Sequence, residues 1–243
     1  MSTEDRPSFH FLIEKLRRLA DIDASDVAAI EALPVEVETV ARARYLVRDG
    51  DETVRCCLLL EGVACRHKTT SDGARQIVSF HLPGDILDVQ HLLLPRADHN
   101  LQAITPAAVA WIAKPVLLRL ISERPRIGQA LWRDSLIDAS IFREWVLNVG
   151  RRDARTRIAH MLCEFAARAG AIGLGGPEGF ELPMTQEDIA DATGLTPVHV
   201  NRMLQALGEE GLIVRKQRRI EIADWPRMRR VADFDPAYLH AAA

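Results

Sequence analysis

Short apolar runs broken by turn residues fill the chain from about Val37 to Val116. Val54-Arg55-Cys56-Cys57-Leu58-Leu59-Leu60 and Gln76-Ile77-Val78-Ser79-Phe80 sit between Asp49-Gly50-Asp51, Glu61-Gly62, Ser71-Asp72-Gly73 and Leu82-Pro83-Gly84-Asp85. Gly and Asp at such places favour tight reversals, so this region predicts closely spaced strands. Regular short strands with glycine-bearing turns fit a double-sheet β-roll, jelly-roll-like in plan. The preceding stretches, Phe9–Leu19 and Ala24–Leu33, have a helical pattern instead.

From Pro125 the period changes to helical. Proline suits a first helical turn, and only Gly128 interrupts the run before Gly150, which predicts one helix of roughly 25 residues, long for a globular domain. A heptad passes through Leu131, Ser135, Asp138, Phe142, Trp145 and Val149, with two polar members. Either that face packs on the β-rich part, or Leu131, Phe142, Trp145 and Val149 form a seam with a second copy. A further helix, Ala154–Arg168, ends at the Gly-rich stretch Gly170–Gly179. The fold class expected is α+β, in three parts: a β-roll over 1–124, a long dimerisation helix over 125–150, and a small C-terminal domain over 151–243.

That C-terminal domain contains the most specific pattern. Thr185 can cap a helix over Gln186–Ala192, with Asp188 in the capping-box position. Gly194 ends that helix, Thr196 caps the next, and Pro197 stands at its first turn. Ala190 is small where two helices must cross, and Ile189, Leu195, Val200 and Met203 supply apolar contacts. Small residue, glycine turn and two caps together predict a helix-turn-helix. Pro197, Val198, His199, Asn201, Arg202 and Gln205 remain on the outer face of its second helix. Arginine can bond guanine in the major groove, and Asn or Gln can bond adenine, so Arg202, Asn201, Val198 and Pro197 are the candidate base readers. Leu212-Ile213-Val214 and Ile220-Glu221-Ile222 flank a basic turn, which predicts a β-hairpin wing with Lys216 and Arg218 facing phosphates. The C-terminal domain is therefore expected to be a winged helix-turn-helix that binds double-stranded DNA.

The overall charge of −3 conceals this basic turn. From Arg151 onward, 13 Lys and Arg balance 13 Asp and Glu, yet Arg215-Lys216-Gln217-Arg218-Arg219 and Arg227-Met228-Arg229-Arg230 concentrate positive charge. Screening confines such interactions to about 10 Å, so local runs matter more than the net value. Four cysteines, two of them adjacent, give no disulfide framework. The N-terminus MSTEDRPSFH is polar, and Ala107–Ile121 is too short and too charged to cross a bilayer. A cytoplasmic protein with no membrane partner is expected.

These features resemble the Crp/Fnr family of bacterial transcription regulators. The residues that carry the resemblance are Arg157-Ile158-Ala159, Thr185-Gln186-Glu187-Asp188-Ile189-Ala190, Gly194-Leu195-Thr196, Arg202-Met203-Leu204 and Pro83-Gly84-Asp85-Ile86. The resemblance implies a homodimer on a near-palindromic operator, contact with RNA polymerase, and an effector-sensing β-roll. It also implies that Thr185, Thr196 and His199 touch phosphates and that Arg202 reads guanine. The matching effector pocket takes in Gly84, Asp85, Asp88, His99, Asn100, Phe142 and Arg143. The family's phosphate-binding Arg is missing there, and neutral His99 is a poor anion clamp. Phe142-Arg143 replaces the polar pair that reaches a nucleotide base, so cAMP is disfavoured.

No cysteine precedes Cys56, so the iron–sulfur cluster of Fnr-type members is not expected. No cofactor or metal is expected, and Cys65 and Cys163 read as core residues rather than a haem ligand or redox thiol. Two alternatives remain beside this reading. One is a cupin-like metal-dependent enzyme, disfavoured because His67, His81, His91 and His99 are scattered singly. The other is a regulator of the same family that does use a cyclic nucleotide or redox signal.

Overall fold

The computed structural model describes residues 8–240, so most of the polar N-terminal segment discussed above lies outside the described residues. The chain divides into two compact units. One comprises the residues up to Lys68 together with Phe80–Asp138; the other comprises Thr69–Ser79 and the residues from Ala139 onward. The division falls inside the long helix rather than at either of its ends.

Before the long helix, α1 (His10–Leu19) and α2 (Ala24–Glu31) precede the strands β1 (Val35–Val40), β2 (Tyr45–Val47), β3 (Arg55–Glu61), β4 (Ala64–Thr69), β5 (Arg75–His81), β6 (Asn100–Ala103) and β7 (Ala107–Ala113), all in the first unit except Thr69 and the residues of β5 up to Ser79. They form two sheets, ordered β1-β7-β3 and β2-β6-β4-β5. Strand β7 is paired on both edges, with Trp111 opposite Glu36 on one side and Cys57 on the other. Successive side chains of a strand point to opposite faces. Cys57, Leu59, Val109 and Trp111 accordingly enter the core between the sheets. Cys56, Leu58, Ala110 and Ile112 enter a second core beneath α1, α2, α3 (Lys114–Glu123) and the start of α4 (Pro125–Arg151). This is why β3 reads as an unbroken apolar run, and why Cys56 and Cys57 can be neighbours yet belong to different cores. Burial pushes the Cys56 thiol up to about 12.

Helix α4 is 27 residues long. Leu131 and Trp145 are only 4% and 7% exposed, whereas Trp132 and Val146 are 72% and 63% exposed. The exposed positions run Trp132, Leu136, Ala139, Arg143, Val146 and Gly150, with Phe142 and Leu147 on the flanks. Their spacing alternates four and three residues, the heptad period. The face through Leu131 and Trp145 thus packs within the protomer, and the exposed stripe lies one residue, about 100°, further around the helix. The cause lies in each unit's own packing. Leu131 belongs to the core beneath α1–α3, and Asp138 takes Arg66 Nη1 at 2.6 Å. Trp145 donates its indole N–H to both oxygens of buried Glu164 at 3.1 Å.

The second unit continues through α5 (Ala154–Ala171), β8 (Gly175–Gly176), β9 (Gly179–Glu181), α6 (Gln186–Thr193), α7 (Pro197–Glu209), β10 (Ile213–Lys216), β11 (Arg219–Ile222) and α8 (Trp225–Val231). Its sheet is ordered β10-β11-β9-β8, so the Gly-rich stretch that follows α5 contributes a short hairpin. Among the described residues, no helix is long and apolar enough to cross a membrane.

Candidate nucleic-acid interface

Helix α6 starts where Thr185 and Asp188 cap one another. The Thr185 N–H donates to Asp188 Oδ2 at 2.9 Å, and the Asp188 N–H donates to Thr185 Oγ1 at 3.1 Å. Two of the helix's unpaired N–H groups are thereby satisfied. Gly194 ends the helix at φ +66°, a left-handed conformation that glycine adopts without steric cost. Thr196 then caps α7 by accepting the His199 N–H at 3.3 Å, with Pro197 in the first turn. Ile189, Ala190, Val200, Leu204 and Leu207 are buried, while Leu195 and Met203 are only partly so. Arg157 on α5 reaches across to donate to the Thr193 carbonyl at 3.1 Å. The last turn of α6 is thus tied to the helix beneath it.

What this scaffold leaves outside is a continuous polar edge. Thr185, Gln186, Thr196, Pro197, Val198, Arg202 and Gln205 are exposed, and His199 and Asn201 are partly so. Val198 is 81% exposed. The Arg202 guanidinium takes no acceptor among the described residues. Glu210, a conceivable partner, is held instead by Arg155, which donates to both of its carboxylate oxygens. That hydrogen bonding lowers the Glu210 carboxyl below its ordinary range. Gln186, not among the expected DNA contacts, donates its amide to Asn201 Oδ1 at 3.1 Å. Only the helix crossing brings together two residues fifteen positions apart.

The wing forms as expected. Strands β10 and β11 pair from Ile213 with Ile222 to Lys216 with Arg219. The reversal occupies Gln217 and Arg218, with Gln217 at φ +56°. Ile213 and Ile220 are buried beneath it, and Arg215, Lys216, Arg218 and Arg219 are all exposed. The wing is therefore a basic hairpin anchored by apolar residues, within the same compact unit as α7.

The residues expected to line an effector pocket have other work. Asp85 accepts Lys15 Nζ at 2.7 Å and the Leu82 N–H at 3.0 Å. Asp88, fully buried, accepts the Cys57 N–H at 2.8 Å. Asn100 accepts the Asp49 N–H at 3.1 Å. A Cβ on Gly84 would stand 2.8 Å from the Phe11 backbone, so glycine there is required for packing. His99 lies beside Asp98 and stacks on His91 with ring centroids 5.4 Å apart. Burial pushes its pKa down to about 4, which keeps the ring neutral. Phe142 and Arg143 are exposed and belong to the second unit. Cys65 and Cys163 are fully buried, and burial pushes the Cys163 thiol up to about 12. Among the described residues, no group of three or more His, Cys, Asp or Glu is arranged to hold a metal ion.

Known proteins share both halves of this arrangement. Residues 156–231 match the Crp-like helix-turn-helix domain, and residues 37–124 match the cyclic nucleotide-binding domain. The nitrogen fixation regulation protein FixK of Bradyrhizobium diazoefficiens is 30% identical over 230 residues, 93% of this chain and 95% of that protein. The transcriptional activator protein FnrL of Cereibacter sphaeroides is 29% identical over 220 residues, covering 89% of this chain and 88% of its own length. In fold, the structure of FixK2 from Bradyrhizobium japonicum matches with a TM-score of 0.75 at 24% identity, over 82% of this chain and 98% of that one.

Proposed function

Because this chain belongs to the Crp/Fnr family of transcription regulators, we propose that it works as a cytoplasmic homodimer whose two α7 helices enter successive major grooves of one operator. DNA binding through the helix-turn-helix is the activity of the family. The finer assignment is that Arg202, Asn201, Val198 and Pro197 face base edges. Thr185, Thr196, His199, Lys216 and Arg218 hold phosphates, which orient the protein without reading sequence. The observation that carries this reading is the exposed Arg202, without an acceptor among the described residues, on an α7 edge flanked by a basic wing. Dimerisation runs along the exposed stripe of α4, and the bound dimer stands where it can meet RNA polymerase.

Selection from a random pool of duplexes tests this. The enriched sequence is expected to be near-palindromic, with half-site centres about one helical turn, roughly 34 Å, apart. A pool that yields no enriched sequence, or only single half-sites, would overturn the dimeric reading.

We also propose that the β-roll takes no cyclic nucleotide, since Asp85, Asp88 and Asn100 are engaged in bonds of the fold itself. A ligand at 100 times its Kd stabilises a protein by about 2.7 kcal/mol. Millimolar cAMP or cGMP should therefore leave the melting temperature unchanged, and a clear upward shift would contradict the assignment.

A further inference from the structure

The turn Thr70–Ala74 between β4 and β5 is held by its own bonds: the Thr70 N–H donates to the Ala74 carbonyl at 2.9 Å, and the Ala74 N–H donates to Thr70 Oγ1 at 3.0 Å. Arg75 follows immediately, and its guanidinium does not point into solvent. Nε donates to Asp191 Oδ2 at 2.6 Å, and Nη2 donates to Asp188 Oδ1 at 3.0 Å. The neighbouring Gln76 amide donates to the Ala192 carbonyl at 3.3 Å. All of these groups lie in the second unit, which includes Thr69–Ser79.

The carboxylate that Arg75 grips is also the capping carboxylate of α6. Asp188 gives Oδ2 to Thr185 and Oδ1 to Arg75, so one side chain links the hairpin to the residue placed on a phosphate. The charge balance adds a second reason. Helix α6 reads Gln-Glu-Asp-Ile-Ala-Asp-Ala-Thr, with three carboxylates and no basic residue, although its N-terminus is the end placed on DNA. Unpaired carboxylates so close to a polyanion oppose binding, and a guanidinium shared between two of them offsets that repulsion. Arg75 meets α6 at Asp188 and Asp191, while Thr185, Gln186, Val198 and Arg202 stay exposed. The hairpin therefore does not cover the recognition edge.

We propose that Arg75 is a positioning residue of the DNA-binding site, clamping Asp188 and Asp191 so that α6 is held and partly neutralised against the phosphate backbone. The proposal rests on the reading that α6 and α7 dock on DNA. Arg75 touches no phosphate itself.

Wild type, Arg75→Gln and Arg75→Lys are titrated with the selected operator and a scrambled duplex at several salt concentrations, with melting temperatures measured alongside. Selective operator binding by the wild type establishes the docking reading before any variant is compared. Arg75→Gln is expected to weaken operator binding roughly tenfold, about a factor of three per protomer, the scale of one partly buried ion pair. Its salt slope should fall by clearly less than the roughly 0.9 per protomer that a lost phosphate contact would give, because a screened charge is removed and no contact is lost. Arg75→Lys, which keeps the charge and one carboxylate contact, should recover most of the affinity. Unchanged or tighter binding by Arg75→Gln overturns the proposal, as does a slope reduced by about one per protomer, which would make Arg75 a phosphate ligand. Equal losses in the Gln and Lys variants at equal melting temperature also overturn it.

Discussion

Trp132→Asp combined with Val146→Asp is expected to give a monomer whose operator affinity falls by about two to four orders of magnitude, the range that linked binding confers. Both side chains lie on the exposed heptad stripe of α4, at 72% and 63% exposure. In a two-fold dimer each of these positions meets the same face of the second copy, so every substitution is felt twice. Burying a large apolar side chain contributes about 1.5–3 kcal/mol, and an unpaired carboxylate in its place adds a desolvation cost. Without the dimer, the second recognition helix no longer binds as an intramolecular partner.

The choice of residues matters. Trp145→Asp would place a second carboxylate against buried Glu164 and remove the indole donor, so it unfolds the protomer rather than separating two of them. Sedimentation velocity reads the oligomeric state, and the melting temperature checks that the monomer is folded. A Trp132/Val146 variant that still sediments as a dimer would place the interface elsewhere.

Arg202→Ala is expected to cost about 1–3 kcal/mol per half-site on the true operator, which is roughly 5- to 150-fold for each protomer. Preference should relax at a single guanine in each half-site, with the rest of the consensus unchanged. The expectation rests on an exposed guanidinium with no acceptor among the described residues and on Glu210 being occupied by Arg155. Lys216→Ala supplies the contrast. It lies in the last pair of the wing hairpin, next to the reversal. Its loss should weaken all duplexes alike and reduce the salt slope by about 0.9 for each phosphate contact removed. Titrations of operator and scrambled duplex across salt concentrations separate the two signatures. If Arg202→Ala loses both duplexes equally, Arg202 holds a phosphate and base reading belongs to other residues of α7.

Local chemistry carried the helix-turn-helix. Thr185 with Asp188, Gly194, and Thr196 with Pro197 each act within four residues, so the sequence alone located both helices, their turn and the wing. The same holds for the strands, whose period of two and glycine turns are short-range signals. Long-range pairing was a different matter. Cys56 and Cys57 are adjacent and equally apolar, and only the stacking of two sheets and a helical layer sends them into separate cores.

The exposed stripe of α4 shows the limit most clearly. Leu131 and Trp132, like Trp145 and Val146, are neighbours of similar hydrophobicity, so a heptad can be drawn through either set. Choosing between them required the second partner of each residue: the core around Leu131, the Arg66 bond to Asp138, and the Glu164 carboxylate beneath Trp145. Likewise, nothing within a few residues of Arg75 marks it as part of a DNA site, because Asp188 and Asp191 lie more than a hundred positions away. Caps, turns and periodicity are set by bonds between near neighbours, and the sequence determines them by itself. Which apolar face stays outside, and which charges meet, depends on contacts between distant segments, and these exist only once the chain has folded.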